Sequence, residues 1–180
     1  MRTINQIIRD KAESYIGITE VGQNQGWDDK IFEKKMVGLG WEKGWAYCAI
    51  AAELVWAEAY VEAGYSTIAK EITELMTPSA ITSFKNFRDK SNFLVDEIPE
   101  VGSIIIWQKY KNGKKTWMGH VGVVLEVKGR LTVVTFEGNT NKQGSREGQG
   151  NLEKERYTGL FSKNGLNLLG YIHPKQVEVL

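Results

Sequence analysis

The chain holds one cysteine, Cys48, in 180 residues. No intramolecular disulfide can form, so a disulfide-stapled scaffold is excluded and the thiol is left for packing or for chemistry. Histidine is nearly as scarce, with His120 and His173 alone. Nowhere do about 18 apolar residues run together, which excludes a membrane-spanning helix and stable membrane insertion. Charge of either sign is not in excess. Lys and Arg number 23 against 22 Asp and Glu, a net charge of +1, and this gives no general attraction to nucleic acid or to an anionic membrane. The N-terminus carries Arg2 early, but no apolar stretch long enough for a signal-peptide core follows it. No internal repeat or low-complexity segment stands out.

The remainder is ordinary globular material. Hydrophobic residues make up 42% and charged residues 25%, which excludes disordered and fibrous classes. A chain of this length suits one domain with a full core, taken as residues 1–180. Thr3 and Gln6 form a capping box ahead of Ile4, Ile7, Ile8, Ala12 and Tyr15 at helical spacing, and Gly17 ends the pattern. Asp28 is placed to cap a short helix through Ile31, Phe32 and Met36. From Tyr47 to about Val61 the composition is rich in Ala, Leu and Glu without Pro or Gly, which predicts the most buried helix of the chain. Thr77 and Pro78 read as the cap and first position of a further helix with Ile81, Phe84 and Phe87 on one face.

After Pro99 the character changes. Residues 103–107, 120–127 and 130–136 are β-branched runs, with Lys128-Gly129 as a hairpin turn, and residues 168–172 read as a closing strand. Helices first and strands afterwards, without regular alternation, indicate an α+β fold. The polar, glycine-rich tract 139–150 reads as a surface loop.

Cys48 falls where the central helix begins. The first turn offers unsatisfied N–H groups and the positive end of the helix dipole, which favour a thiolate. A lone cysteine flanked by alanines is more often a packing residue, so position alone does not make it a nucleophile. His120 opens a strand and is the better candidate for a general base. Pairing about Lys128-Gly129 brings Glu137 beside it, able to orient the imidazole toward a thiol.

The segments Gly44-Trp45-Ala46-Tyr47-Cys48-Ala49, Gly119-His120-Val121-Gly122-Val123-Val124 and Glu137-Gly138-Asn139-Thr140 resemble those of the CHAP peptidoglycan hydrolases. These are relatives of the NlpC/P60 enzymes in the papain-like cysteine peptidase group. Pro99-Glu100-Val101-Gly102-Ser103 resembles the family's entry into its first core strand, and the stretches 22–29 and 144–148 are similar to those of phage-associated members. The resemblance implies a papain-like NlpC/P60 (CHAP) fold, with N-terminal helices packed on a mainly antiparallel C-terminal sheet. It implies Cys48 as nucleophile, His120 as general base, Glu137 as its orienting partner and Asn139 as a further polar member. Tyr47 departs from the family pattern, since many members carry tryptophan there. No Asp-x-Asp-x-x-Gly calcium loop is present, so Asp28 and Asp29 read as capping residues, and neither metal nor cofactor is expected.

The substrate implied by the resemblance is bacterial peptidoglycan, cut at the N-acetylmuramoyl-L-alanine amide or within the peptide. Trp45, Tyr47, Trp107 and Trp117 all fall near the site segments. Core packing accounts for at least two of them; Trp45, Tyr47 and Trp107 are carried forward as substrate contacts. Lys142 and Arg146 could meet stem-peptide carboxylates, although a solvated loop is the plainer reading. A non-catalytic wall-binding or virion module keeping the fold stays open, as does a cysteine transferase or peptidase acting on proteins. With no export signal seen, the expected setting is synthesis in a bacterial host followed by holin-type release, carriage in a phage particle, or secretion as an effector. The phage lysin is favoured, as a monomer.

Overall fold

A computed structural model describes residues 2–140 and 150–179. Five helices come first: α1 (Ile4–Ser14), α2 (Lys30–Gly38), α3 (Cys48–Glu62), α4 (Ser66–Leu75) and α5 (Ala80–Lys90). Six strands follow: β1 (Val95–Asp96), β2 (Ile104–Lys111), β3 (Lys114–Gly129), β4 (Thr132–Thr140), β5 (Gly150–Tyr157) and β6 (Gly165–Ile172). They form one antiparallel sheet in the order β1-β6-β2-β3-β4-β5. This is the α+β arrangement read from the sequence.

The helix signals are met with small shifts. Thr3 and Gln6 make the capping box of α1. Asp29, not Asp28, caps α2 by accepting from the N–H groups of Ile31 and Phe32; Asp28 instead accepts from the N–H of Thr19. The cap of α5 is Ser79 rather than Thr77. The Thr77 hydroxyl accepts from the Ser79 N–H, which turns the chain into the helix two residues later than the proline suggested. Helix α4 was not foreseen. It is short and marked only by Ala69, Ile72 and Leu75 on its buried side.

Helix α3 is apolar nearly all round, with eleven of its fifteen residues buried, as a helix covered on several sides must be. It crosses the main core against α1, α4 and one face of the sheet, from which Ile104, Ile106, Val121, Val123 and Phe136 project. Along the strands the alternate residues Ile105, Trp107, Val124, Val133 and Tyr171 form a second, smaller cluster, as the two-residue period of a strand requires.

That second face is concave. Straight, the 16 residues of β3 would span about 50 Å. Yet residues 158–164 join its two ends: Thr158 N–H donates to Leu131 O over 2.8 Å and Gly113 N–H to Lys163 O over 2.9 Å. So short a connection reaches only about 20 Å, and β3 must curl. The register shifts at Gln108/Tyr110, Val124/Glu126 and Val127/Gly129 are bulges of the kind that bend a strand.

The shifts also correct the expected hairpin. Gly129 pairs with Thr132, so Arg130 and Leu131 make the turn, two residues beyond the expected one. Strand β4 runs on through Thr140 and β5 starts at Gly150, narrowing the expected loop at both ends; the rest of that loop lies outside the described residues. Among the described residues no helix is long and apolar enough to cross a membrane.

Candidate active site

Pairing between β3 and β4 ends at Val123–Phe136. Beyond that point the strands part, and the first turn of α3 meets both of them. Gly138 makes the approach possible: a Cβ there would stand 2.8 Å from Ala51 Cβ and 3.0 Å from the Tyr47 ring. Tyr47 is the N-cap of α3 and supplies no side-chain cap. Its ring is fully buried against Trp27, centroids 4.8 Å apart, which pins the residue preceding the thiol.

His120 lies on the concave face, 5% exposed. Its Nε2 is 2.8 Å from Glu137 Oε2, and the ring also hydrogen-bonds Cys48; with Nε2 engaged, Nδ1 is the nitrogen left for the sulfur. Trp107 is the cross-strand partner of His120 and stacks on it, 24° from parallel with centroids 5.7 Å apart. Burial disfavours a charged imidazole, but Cys48 and Glu137 outweigh it and push His120 up to about 9. A protonated His120 beside Cys48 is the partner that a thiolate needs.

Glu137 is fully buried and its carboxylate is saturated. Oε1 accepts from Thr135 Oγ1 at 2.8 Å and from Arg156 Nε at 2.6 Å, while Oε2 accepts from Arg156 Nη2 at 2.5 Å and faces His120 Nε2. Burial alone would raise its pKa; Arg156 and His120 reverse this and hold the carboxyl below the ordinary carboxylate range. Such a group serves as a fixed negative charge and not as a proton carrier. Gly122 permits the reach from β4 to His120, since a Cβ there would stand 3.2 Å from Glu137 Cγ and 3.0 Å from Phe136 O.

Cys48 is 6% exposed and borders a cleft of ≈ 220 Å³. Ala46 lies beside it, Pro78, Ser79 and Ala80 line the cleft from the start of α5, and Trp117, Met118 and Gly119 from β3. Among the described residues no group of three His, Cys, Asp or Glu side chains is placed to hold a metal ion.

The structure thus brings Cys48, His120 and Glu137 together. Asn139 is 1% exposed, with φ 53° in the left-handed region that asparagine tolerates. Its backbone N–H faces the Tyr47 hydroxyl, so it sits behind the nucleophile segment. Tyr47 and Trp107, expected as substrate contacts, are 0% and 4% exposed and do not line the cleft. One anchors the start of α3 and the other backs the imidazole. Trp45 is 41% exposed and Trp117, set aside on sequence, 78%. Lys142 and Arg146 lie outside the described residues. Sequence reasoning missed Arg156 and Thr135. Arg156 stands in the alternating half-buried series Leu152, Lys154, Arg156, a strand signal without the apolar residues that would make it conspicuous.

A thiol at a helix N-terminus, an imidazole on an antiparallel strand and a buried carboxylate behind it define the thiol–imidazole–carboxylate class of site. The chain belongs to the CHAP domain family, whose model matches residues 38–139, more than half of its length and including all three of these side chains. CHAP domains are peptidoglycan hydrolase-type domains, typically amidases or peptidases. No curated protein and no solved structure matches the chain.

Proposed function

We propose that the protein is a cysteine-dependent peptidoglycan hydrolase in which Cys48 is the nucleophile, His120 the general acid and base, and Glu137 the group that orients and charges His120. The observation that carries this reading is His120 held between Cys48 and Glu137 where a cleft opens on the thiol.

Cys48 S⁻ attacks the carbonyl carbon of a wall amide, and the carbonyl electron pair moves to oxygen. The uncapped first turn of α3 supplies the Cys48 backbone N–H to that oxyanion. As the tetrahedral intermediate collapses, His120 Nδ1–H gives its proton to the nitrogen of the breaking C–N bond, and the amine leaves a thioester behind. A water then attacks the thioester carbonyl while His120 Nδ1 takes its proton. Collapse releases a carboxylic acid and restores the thiolate–imidazolium pair. Glu137 stays ionised throughout, because four donors and not a mobile proton surround it.

The test is turbidity loss of purified cell walls, with mass spectrometry of the soluble products and Cys48→Ala as control. Soluble muropeptides from the wild type and none from the variant are expected. If the two are equally inactive on walls of several chemotypes, the hydrolase reading fails and a wall-binding module takes its place.

A further inference from the structure

We infer that the tip of the β2–β3 hairpin is a docking surface for a flexible phosphodiester polymer of the cell wall, held by Lys111, Lys114, Lys115 and Lys163. The choice of partner rests on the hydrolase reading above; the surface itself does not.

The tip is fixed in place. Asn112 and Gly113 stand at φ 51° and 74°, as a two-residue turn between antiparallel strands requires. Gly113 N–H donates to Lys163 O over 2.9 Å and Asn112 N–H to Asn164 Oδ1 over 2.8 Å. These bonds hold the 158–164 connection against the turn and bring to it a lysine distant in sequence. Lys111, Lys114, Lys115 and Lys163 are all exposed.

The charge on this tip is concentrated. Lys111 and Lys114 are cross-strand partners, and like charges directly opposite each other destabilise a hairpin. The two stretches that build this end of the sheet, 101–125 and 156–177, contain no Asp or Glu. The chain as a whole carries a net charge of only +1, so the tip is not one sample of a generally basic protein. A fold that accepts repulsion at a fixed turn presents a surface made for an anion. All four residues are lysine. Arginine suits planar, two-pronged recognition of a single group, whereas an ammonium on a flexible stem is a point charge that follows the phosphates of a mobile chain.

The tip also lies near the reacting thiol. Met118 and Gly119 of the same strand line the cleft beside Cys48, and a rise of about 3.3 Å per residue puts Lys115 about 10 Å from Met118. Nucleic acid and an anionic bilayer carry the same phosphates. The proposed reaction takes place inside the wall, however, where a phosphodiester polymer lies among the glycan strands, and binding it would keep the cleft at its substrate.

The experiment sediments Cys48→Ala, which leaves walls intact, with purified walls that carry such a polymer and with the same walls after hydrofluoric acid has removed it. Binding to the untreated walls should be about ten-fold tighter or more, and raising salt from about 50 to about 200 mM should weaken it by about ten-fold or more. Replacing the four residues together, as Lys111→Gln, Lys114→Gln, Lys115→Gln and Lys163→Gln, should remove the difference between the walls. Arginine at the same positions should keep it. Equal binding to both walls, binding insensitive to salt, or glutamine variants that bind as before overturns the inference. So does tighter binding, at equal phosphate, to single-stranded DNA or to phosphatidylglycerol vesicles. Should the glutamine variant fail to fold, the comparison of walls and of salt with the native hairpin still decides. Wild-type digestion of both walls tests the hydrolase reading separately. Muropeptides released without any preference for the polymer overturn this inference alone, and no release with the preference intact overturns the hydrolase reading alone.

Discussion

His120 is 5% exposed and His173 6%, and each has Nε2 2.8 Å from a carboxylate oxygen, of Glu137 in one case and Asp96 in the other. The second ring nitrogen separates them. In His120 it is left for the Cys48 sulfur at the mouth of a cleft. In His173, Nδ1 is 3.0 Å from both Ser103 Oγ and Glu100 Oε2. Drawn flat, Ser103, His173 and Asp96 are a nucleophile, a base and an orienting acid. Ser103 is fully buried, however, in the short stretch between Gly102 and β2. His173 ties the end of β6 to β1 and to the loop carrying Glu100, and so holds the final segment on the body. The comparison teaches that three hydrogen-bonding groups in a row do not make an active site. On the proposed reading, His120 has beside it a thiol that borders a cleft, whereas His173 has a buried hydroxyl.

The largest effect expected from this contrast is on rate. His120→Ala should lower wall hydrolysis by about 10²–10⁴-fold. His173→Ala should leave the alkylation rate of Cys48 within about two-fold of wild type and cost about 1–3 kcal/mol of stability, since it leaves the buried Ser103 hydroxyl without its partner. Kinetics and urea unfolding of both variants check this, and equal losses of rate would erase the distinction.

The carboxylates can be compared next. Arg156→Met leaves fully buried Glu137 short of its two strongest donors and should cost about 3–5 kcal/mol. Lys175→Met removes the partner of Glu71 from a half-exposed pair (side-chain exposures 22% and 35%) and should cost no more than about 1 kcal/mol. Chemical denaturation of the two variants measures the gap directly.

Gly122→Ala probes the reach of Glu137 to His120. The added methyl group must push against Glu137 Cγ and the Phe136 carbonyl, so the expected cost is about 1–3 kcal/mol, with a fall in hydrolysis as the imidazole loses its orientation. Gly129→Ala, at a position with nothing within 4 Å, is the control and should leave activity unchanged.

Smallest is the pH dependence of stability. The pKa of His120 is raised in the fold, so its protonated form contributes stability that is complete below about 6.5 and is lost as pH rises through about 9. The pKa of Glu137 is lowered, so its contribution is present above the ordinary carboxylate value of about 4.5 and is lost as pH falls below it. Melting temperatures across pH should decline on both flanks. Arg156→Met should alter the acid flank and His120→Gln the alkaline one.

Much of this site was legible without coordinates because its members stand on strongly patterned segments. Cys48 follows a glycine-marked loop and opens an Ala-rich helix, while His120 and Glu137 bracket β-branched runs. Their contact was expected from a turn placed two residues too early. It holds because bulges curl β3 and because Gly122 lets Glu137 reach along the sheet. The aromatics were misread for a different reason. Ile104-Ile105-Ile106-Trp107 is apolar at every position, being buried on both faces of the sheet, so the run carries no alternation to say which side Trp107 takes. Arg156 was invisible because a charged residue turned inward on a polar strand differs in no local feature from one turned outward. Strand β5 escaped for the same want of contrast, whereas α4 carries Ala69, Ile72 and Leu75 at helical spacing and was legible in the sequence.

The central claim is that Cys48 rests as a thiolate paired with protonated His120. The most direct measurement is the rate of Cys48 alkylation by iodoacetamide as a function of pH, in the wild type and in His120→Ala. The wild-type rate should hold a plateau well below the ordinary thiol pKa of about 8.5, while the variant should follow an ordinary thiol. Superimposable profiles rising together near 8.5 would contradict the account.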